Sequence, residues 1–242
     1  MTNNKKDTGT LYLVPVTLGA AAQLSISIPN DVISIVKTLN YFVAENAKTA
    51  RASLKLFEHP TPLREIQISE LNEHTPRGSI APFLQPLLDG HNVGLMSEAG
   101  CPAVADPGSA LVELAHRFNI RVTPLVGPSS LLLALMGSGM NGQRFSFHGY
   151  LPAKENDRQQ ALLKLEADSR RSGGVEMFIE TPYRNTAMLE SLLKLSSKTR
   201  LCLACDLTLE SESIRSASIG EWKKTGITED YARRPVVYLL QA

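Results

Sequence analysis

The first half of the chain alternates short apolar runs with segments that repeat apolar residues at helical spacing. This alternation predicts a parallel sheet with helices on both faces, an α/β fold. In such sheets, ligands bind beyond the carboxyl ends of the strands. The predicted strands cover residues 11–16, 41–44, 93–96 and 120–126. The strand ends at residues 17–19, 45–46, 97–104 and 127–130 are therefore the candidate ligand-binding segments. The predicted helices cover residues 31–39, 48–57, 80–88, 107–118 and 131–136.

The third of these strand ends is longer than a connection requires. Residues 94–108 have the sequence GLMSEAGCPAVADPG. About ten residues separate the strand from the next helix, where two to six suffice. Their small side chains would let a ligand lie against the backbone, and an ordinary ordered loop is the alternative. Asp106 is placed to cap the following helix, with Pro107 at its first position.

Two further segments carry capping or burial signals. Asp31 precedes a helical pattern and is predicted to cap it. Gly127, Pro128, Ser129 and Ser130 precede a helix that is apolar nearly all round, so that helix is expected to be buried. The backbone amides at its start favour a ligand carboxylate or phosphate.

The pattern changes after a run of turn residues, GSGMNGQ at 137–143, which is the best candidate for a domain boundary. The second half is rich in predicted strands. They cover residues 145–151, 175–179, 201–204, 214–219 and 235–240, with helices at residues 157–167 and 184–195. We therefore predict two α/β domains, residues 8–141 with a mainly parallel sheet and residues 142–242 with a mixed sheet, with a cleft between them.

Composition narrows the class of protein. The 242 residues carry a formal charge of +1, so overall charge argues neither for nor against a polyanionic partner. No apolar run is long enough to cross a membrane, and the polar N-terminus predicts a frayed tail without an export signal. The three cysteines do not make a disulfide framework. These features favour a cytoplasmic protein.

Several catalytic motifs are absent. Neither a GxxxxGK[ST] phosphate loop nor a GxSxG nucleophile elbow occurs, and the histidines lack metal-binding spacing on a helix. Cys202 and Cys205 form a C-x-x-C, but residues three apart on a strand point to opposite faces, so core cysteines are the favoured interpretation. These residues predict a two-domain enzyme that holds a small molecule largely by backbone groups.

Three motifs resemble those of a known superfamily. SEAGCPAVADPG at 97–108, LVGPSS at 125–130 and FSFHGYLP at 145–152 are similar to the tetrapyrrole methylase superfamily, and the similarity runs from Gly9 to the end of the chain. The resemblance implies two α/β domains and methyl transfer from S-adenosylmethionine, without a metal. The branch it points to contains the ribosomal RNA small-subunit cytidine 2′-O-methyltransferases. A homodimer and ribosomal RNA as acceptor are further implications.

The resemblance also implies that S-adenosylmethionine lies folded in the interdomain cleft. The residues expected to bind it are Leu18, Ser97, Glu98, Ala99, Gly100, Cys101, Pro102, Val104, Gly127, Ser129, Ser130, Leu131, Glu180, Thr181, Arg234 and Pro235.

Two segments depart from the pattern of that branch. Where it has P-T-P-I-G-N after the first strand, residues 15–20 are PVTLGA, and where it has A-E-D-T-R after the second, residues 44–48 are AENAK. Lysine lacks the bidentate fork of arginine, and an amide cannot accept a proton as a carboxylate does. The acceptor therefore stays open. A tetrapyrrole, another small molecule or a protein is an alternative to RNA, and a non-catalytic cofactor-binding homologue is a third hypothesis.

Glu45 is the first candidate for a general base, because it ends a strand beside the predicted cleft. Glu98 and Glu180 are second, and a capping or salt-bridging carboxylate is the alternative for each. Asn46, Lys48 and Arg51 are expected on the acceptor side. The two cations could touch phosphates there, although a solvated helix face is the commoner fate of such a pair.

Overall fold

The computed structural model of the protein describes residues 8–19 and 21–242. Residues 1–7 of the predicted frayed tail lie outside the described residues, as does Ala20 in the segment after the first strand. The contacts divide the chain into two compact bodies, the first ending at Ser129 and the second starting at Ser130. The turn residues predict a boundary after residue 141. The two boundaries differ because the helix that starts at Ser130 packs on the second sheet.

The first body is built around a five-stranded parallel sheet. Its elements are β1 (Thr10–Val14), α1 (Leu24–Ser27), α2 (Asn30–Val36), β2 (Tyr41–Ala44), α3 (Ala47–Leu56), β3 (Gln67–Glu70), 3-10 turns at Arg77–Ser79 and Ala81–Leu84, α4 (Gln85–Leu88), β4 (Val93–Met96), α5 (Gly108–Arg117) and β5 (Arg121–Pro124). The strand order is β3-β2-β4-β1-β5, and all four neighbouring pairs are parallel. The predicted parallel α/β fold is therefore confirmed.

The central strand β4 explains why these runs are apolar throughout. All four of its residues are buried. Val93 and Leu95 belong to the apolar cluster that contains α5, whereas Met96 belongs to the cluster that contains α2 and α3. Because successive side chains of a strand point to opposite faces, a strand covered on both faces needs apolar residues at every position.

Two predictions about helices in this body are wrong. Asp31 does not cap a helix, because α2 already begins at Asn30 and Asp31 lies in its first turn. Residues 80–88 do not form one helix but a 3-10 turn followed by the single turn α4. Pro82 and Pro86 each lack the backbone N–H that a continuous helix requires.

The second body contains a five-stranded mixed sheet. Its elements are α6 (Ser130–Ser138), β6 (Phe145–Tyr150), α7 (Glu155–Ser172), β7 (Val175–Ile179), a 3-10 turn at Pro182–Arg184, α8 (Asn185–Leu192), β8 (Arg200–Cys205), β9 (Ser213–Ser218), α9 (Ile219–Thr225) and β10 (Val236–Gln241). The order is β6-β7-β10-β8-β9, with β6 and β7 parallel and the other pairs antiparallel. The predicted mixed sheet is confirmed.

Aromatic residues anchor the core of the second body. The rings of Phe178 and Tyr238 stack with centroids 5.2 Å apart, in the apolar cluster that also buries Trp222 of α9. Helix α9 is not among the predicted helices, although Ser218 and Glu221 form a capping box whose spacing is visible in the sequence. Of the helices in the described ranges, none is long and apolar enough to span a membrane.

Candidate functional site

The edge of the first sheet at which the parallel strands end forms the centre of the candidate site. Strands β1 and β2 both pair with β4 in registers that end opposite Met96. Beyond that point the Glu45 amide donates to the Met96 carbonyl at 3.3 Å, and the Val16 amide donates to the Gly100 carbonyl at 2.9 Å. Three of the four predicted strand-end segments therefore emerge side by side, where open α/β sheets bind their ligands.

The Asp106 carboxylate links the middle of the long loop to the start of the helix that follows it. Its Oδ2 atom accepts a hydrogen bond from the Ala103 amide at 2.8 Å, and its Oδ1 atom accepts one from the Gly108 amide at 2.7 Å. Helix α5 begins at Gly108, and Pro107 before it already has helical backbone angles. The carboxylate therefore satisfies a free amide of the helix start, as the sequence predicts, and also bridges back into the loop.

The backbone of this loop is strained. Gly100, Ala103 and Ala105 all have positive φ, at 69°, 64° and 58°. Glycine adopts this left-handed conformation readily, but an alanine there costs about 1–2 kcal/mol. Two alanines in this region therefore persist only because contacts such as the Asp106 bridge hold them. Strain of this kind collects at ligand-binding sites.

The glycines of the site allow a close approach of backbone segments. A Cβ atom added at Gly100 would lie 3.1 Å from Leu18 Cδ2 and 3.2 Å from the Pro128 carbonyl oxygen. One added at Gly127 would lie 2.1 Å from the Pro15 Cβ atom, which no real structure permits. The loops after β1, β4 and β5 thus pack directly on one another and form a cradle made of backbone.

The loop side chains divide into those that shape the loop and those that are open to a ligand. Ser97 is buried, and its hydroxyl donates to the Ala99 carbonyl at 3.1 Å. The Cys101 thiol lies 3.3 Å from the Pro128 carbonyl oxygen, and burial raises the pKa of that thiol. Pro102 is buried as well. By contrast, Val104 is 52% exposed, which leaves an apolar side chain available; Glu98 and Ala99 are also exposed.

Glu45 is a half-buried acid at this edge. Burial raises the pKa of Glu45 most, and the negative charges of Glu98 and Asp106 raise it further. The Glu98 amide donates to the Glu45 carboxylate and opposes that rise. Burial also raises the pKa of Asp106, against its hydrogen bonds from backbone amides. A carboxylate with a raised pKa is a stronger proton acceptor.

Asn46 is the N-cap of α3. Its side-chain oxygen accepts hydrogen bonds from the Lys48 amide at 2.9 Å and the Thr49 amide at 3.4 Å. Asparagine and aspartate cap helices about equally well. Compared with the aspartate of the A-E-D-T-R pattern, Asn46 therefore keeps the helix cap and lacks one negative charge. Lys48 and Arg51 are exposed on the outer face of the helix.

The predicted burial of α6 is wrong. Leu132 is 52% and Met136 is 78% exposed, although Ala134 and Leu135 are buried. The helix packs on β8, β9 and β10 with one side only. The predicted cofactor residues before and within its first turn, namely Gly127, Ser129, Ser130 and Leu131, are half-buried.

The end of helix α6 and the turn after it carry glycines with the G-x-G-x-x-G spacing of dinucleotide-binding loops. These are Gly137, Gly139 and Gly142 in the sequence GSGMNG. The spacing indicates a dinucleotide site only between a strand and a helix. Here Gly137 lies within α6, where a Cβ atom would lie 2.5 Å from Ile214 Cδ1, and Gly139 follows the end of the helix with a φ of 65°, so the setting is not that of a dinucleotide site.

Glu180 and Thr181 follow β7, at one edge of the second sheet. The Oε1 atom of Glu180 accepts hydrogen bonds from the Thr181 amide at 2.7 Å and the Thr181 hydroxyl at 3.2 Å. The Arg184 guanidinium makes an ion pair with the same oxygen at 2.6 Å. The Glu180 side chain is fully buried, so it is engaged in structure at one oxygen and closed to solvent at the other.

Arg234 and Pro235 lie at the same edge, because β10 runs antiparallel to β7 and β8. The Arg234 guanidinium donates to Asp206 at 2.8 Å, to Glu229 at 2.6 Å and to the Ser211 carbonyl at 2.7 Å. These bonds use most of its donors. Asp206, Glu229 and Arg184 are hydrogen-bond and ion-pair partners of predicted site residues that the sequence did not identify. Only Arg184 has a local signal, four residues after Glu180.

Apart from Ser130 and Leu131 at the start of α6, the predicted site residues thus form two groups, each at one edge of its own sheet. The first group surrounds the ends of β1, β2, β4 and β5, and the second surrounds the end of β7 and the start of β10. Their role in binding a cofactor stays a prediction.

The remaining candidate chemistry lies in the core. Cys202 and Cys205 are fully buried in β8, and only Cys205 belongs to the apolar cluster around Trp222, which agrees with opposite faces of the strand. Burial raises the pKa of both thiols to about 12, so they are inert at neutral pH. Across residues 8–19 and 21–242, no group of three or more His, Cys, Asp or Glu side chains could hold a metal ion.

Comparison with known proteins gives relatives over most of the chain. The ribosomal RNA small subunit methyltransferase I of Escherichia coli O157:H7 is 31% identical over 93% of this chain and 74% of its own length. The protein of the same name from Pseudomonas aeruginosa is 33% identical over 88% of this chain and 71% of its own length. No protein-family model matches the chain.

Two solved methyltransferase structures align with this chain over most of its length. The methyltransferase CobJ aligns with a TM-score of 0.62 at 16% identity, over 98% of this chain and 94% of its own. The uroporphyrin-III C-methyltransferase of Thermus thermophilus aligns with a TM-score of 0.56 at 16% identity, over 96% and 92%. At this identity the likeness concerns the fold alone, which is the fold that the sequence motifs imply.

Proposed function

This chain belongs to the ribosomal RNA small subunit methyltransferase I family, and from that premise we propose that it is an S-adenosylmethionine-dependent methyltransferase of small-subunit ribosomal RNA. The acceptor in this proposal is a cytidine ribose 2′-hydroxyl, as in the branch that the motifs resemble. The observation that carries the proposal is the similarity to proteins of that name over nearly the whole chain.

The edge of the first sheet fits a methyl donor held by backbone groups. The cradle around Gly100 and Gly127 has no space for a further side chain, and Val104 leaves an apolar surface for a ligand. Leu18 and the loop from Ser97 to Val104 would hold S-adenosylmethionine there. The sulfonium group supplies a methyl group that is already activated, so the residues of the chain mainly align donor and acceptor.

Glu45 is the proposed general base. It lies at the end of β2, and its carboxylate would accept the proton of the acceptor hydroxyl as the hydroxyl oxygen takes the methyl group. Its raised pKa favours this role. Glu180 fits it less well, because its side chain is buried against Arg184 and Thr181. Glu98 is exposed at the same edge as Glu45 and remains the second candidate.

A cytoplasmic homodimer is the proposed working form. The exposed apolar side chains Leu132 and Met136 lie one helical turn apart on α6. A second copy of the chain would remove this surface from water.

Methyl transfer from labelled S-adenosylmethionine tests the proposal. Small ribosomal subunits from a strain that lacks the gene serve as substrate, and the labelled nucleotide is identified by nuclease digestion and mass spectrometry. We expect label on a cytidine ribose of the small-subunit RNA, and we expect Glu45→Gln to abolish it. Label in a protein or small-molecule fraction would overturn the RNA acceptor. Binding of S-adenosylmethionine without transfer to any fraction would favour a non-catalytic homologue.

A further inference from the structure

The outer face of α3 carries three cations and no acid. Lys48, Arg51 and Lys55 follow at spacings of three and four residues, which places them within an arc of about 60° on a helix with 3.6 residues per turn. All three are exposed, whereas Ala50 and Leu54 on the opposite face are buried in the core. The helix sequence AKTARASLKL contains no aspartate or glutamate.

These cations are not neutralised within the protein. In the part of the chain that the structure describes, the ion pairs join other residues, and Arg51 makes one weak bond to the Ala47 carbonyl at 3.4 Å. The whole chain has only one more basic than acidic residue. The positive charge on this face is therefore a local concentration and not a consequence of a basic composition.

The first of the three stands where a helix disfavours a cation. Lys48 is in the first turn of α3, which contains no acid, and the helix macrodipole disfavours a positive charge there. The cap Asn46 is neutral, whereas the Glu70 carboxylate accepts a hydrogen bond from the Ala47 amide at 2.8 Å and so partly compensates the positive helix start. A bound anion would therefore be stabilised mainly by the charge of Lys48.

The stripe leads away from the proposed catalytic edge. Helix α3 begins immediately after Glu45 and Asn46, so Lys48 follows the proposed base by three residues. With a rise of 1.5 Å per residue, Lys55 lies about 10 Å further along the helix axis. Consecutive phosphates of one nucleic-acid strand could follow this line while a nucleotide sits at the edge.

We infer that Lys48, Arg51 and Lys55 form a phosphate-binding stripe along which the backbone of the RNA strand approaches Glu45. The inference rests on the proposed function and adds the surface by which the RNA is held. Contacts of this kind position a strand without reading its sequence. They also make the affinity depend on salt, because each phosphate contact releases bound counterions.

The affinity of a short, cytidine-rich, single-stranded RNA oligonucleotide tests the stripe across a series of salt concentrations. The variant Lys48→Ala/Lys55→Ala removes two cations of the stripe and keeps the helix, because alanine is the best helix former. Lys223→Ala/Lys224→Ala is the matched control, since both lysines are exposed on α9. We expect the plot of log binding constant against log salt concentration to become less steep by about 1.4 in the first variant, which is about 0.7 for each phosphate that is no longer neutralised. The slope of the control should stay unchanged.

Two further measurements keep the outcomes apart. The variant Lys48→Arg/Lys55→Arg retains the charges and should retain the wild-type slope, and the affinity for S-adenosylmethionine should be the same in all variants. Equal slopes in the alanine variant and the control would overturn the proposal that the stripe binds phosphates. A slope in the arginine variant that is less steep than that of the wild type would also overturn it. If the wild-type protein binds S-adenosylmethionine but no RNA, the proposed function itself fails.

Discussion

The substitution Asp106→Asn should weaken the binding of S-adenosylmethionine. The two carboxylate oxygens accept the Ala103 amide at 2.8 Å and the Gly108 amide at 2.7 Å. An asparagine keeps one acceptor oxygen and turns its NH₂ group towards the other amide, which then has no partner. A hydrogen bond to a charged group contributes about 1.5–3 kcal/mol. If the loop must be ordered to bind, the Kd should rise about 10- to 150-fold.

The strain in the loop supplies an internal check on this reasoning. Ala103 has a φ of 64°, which costs an L-residue about 1–2 kcal/mol. Glycine removes that cost, but it makes the unbound loop more flexible, and ordering the loop then costs about 0.5–1 kcal/mol more. The variant Asp106→Asn/Ala103→Gly should therefore recover up to about 1.5 kcal/mol, or about 12-fold in Kd, relative to Asp106→Asn alone.

Isothermal titration calorimetry measures these affinities, and thermal unfolding reports whether each variant is folded. Asp31→Asn is a suitable control, because Asp31 is exposed in the first turn of α2 and makes no side-chain cap. The same Kd for Asp106→Asn and the wild type would refute the bridge. So would a weaker affinity on addition of Ala103→Gly.

Three further predictions concern the base, the cradle and the cap. Glu98→Gln removes a negative charge that raises the pKa of Glu45. Because the base acts in its deprotonated form, the acidic limb of the pH profile of kcat/KM should move to lower pH. A limb that does not move would exclude Glu45 as the base. Gly127→Ala forces a Cβ atom to 2.1 Å from a proline side chain and should lower stability by about 3 kcal/mol or more; Gly142→Ala, with open space around it, should not, and equal Tm values would refute the close packing. Asn46→Ala should cost about 1 kcal/mol in urea unfolding, whereas Asn46→Asp should keep the cap; equal losses would contradict capping.

The strands were predictable wherever a buried apolar run ended in turn residues. Residues 41–44, 93–96 and 175–179 form strands with the predicted bounds, since strands covered on both faces are apolar throughout. The helix predicted at 80–88 failed because two prolines interrupt an otherwise helical pattern. The spacing of apolar residues takes no account of the backbone N–H that each proline lacks.

The candidate site was predictable in outline because strand ends can be located in a sequence. In a parallel sheet these ends meet at one edge, so Leu18, Glu45 and the loop from Ser97 are brought together whatever their distance along the chain. The hydrogen-bond partners of the site residues were not predictable. Arg234 is held by Asp206 and Glu229, and nothing in the local sequence around either acid indicates that contact.

The alternation of strands and helices, the loop motif after β4 and the family can be recognised from local residue order, because they depend on periodicity and on residues at fixed spacing. The groups that are left available for chemistry depend instead on how the elements pack in three dimensions. The tertiary structure bound Asp106 into a bridge, buried Glu180 against Arg184 and left one face of α6 uncovered. These three outcomes depend on which atoms a side chain contacts and on which face of a helix or strand is covered. The local order of residues specifies neither the contacts nor the covered face.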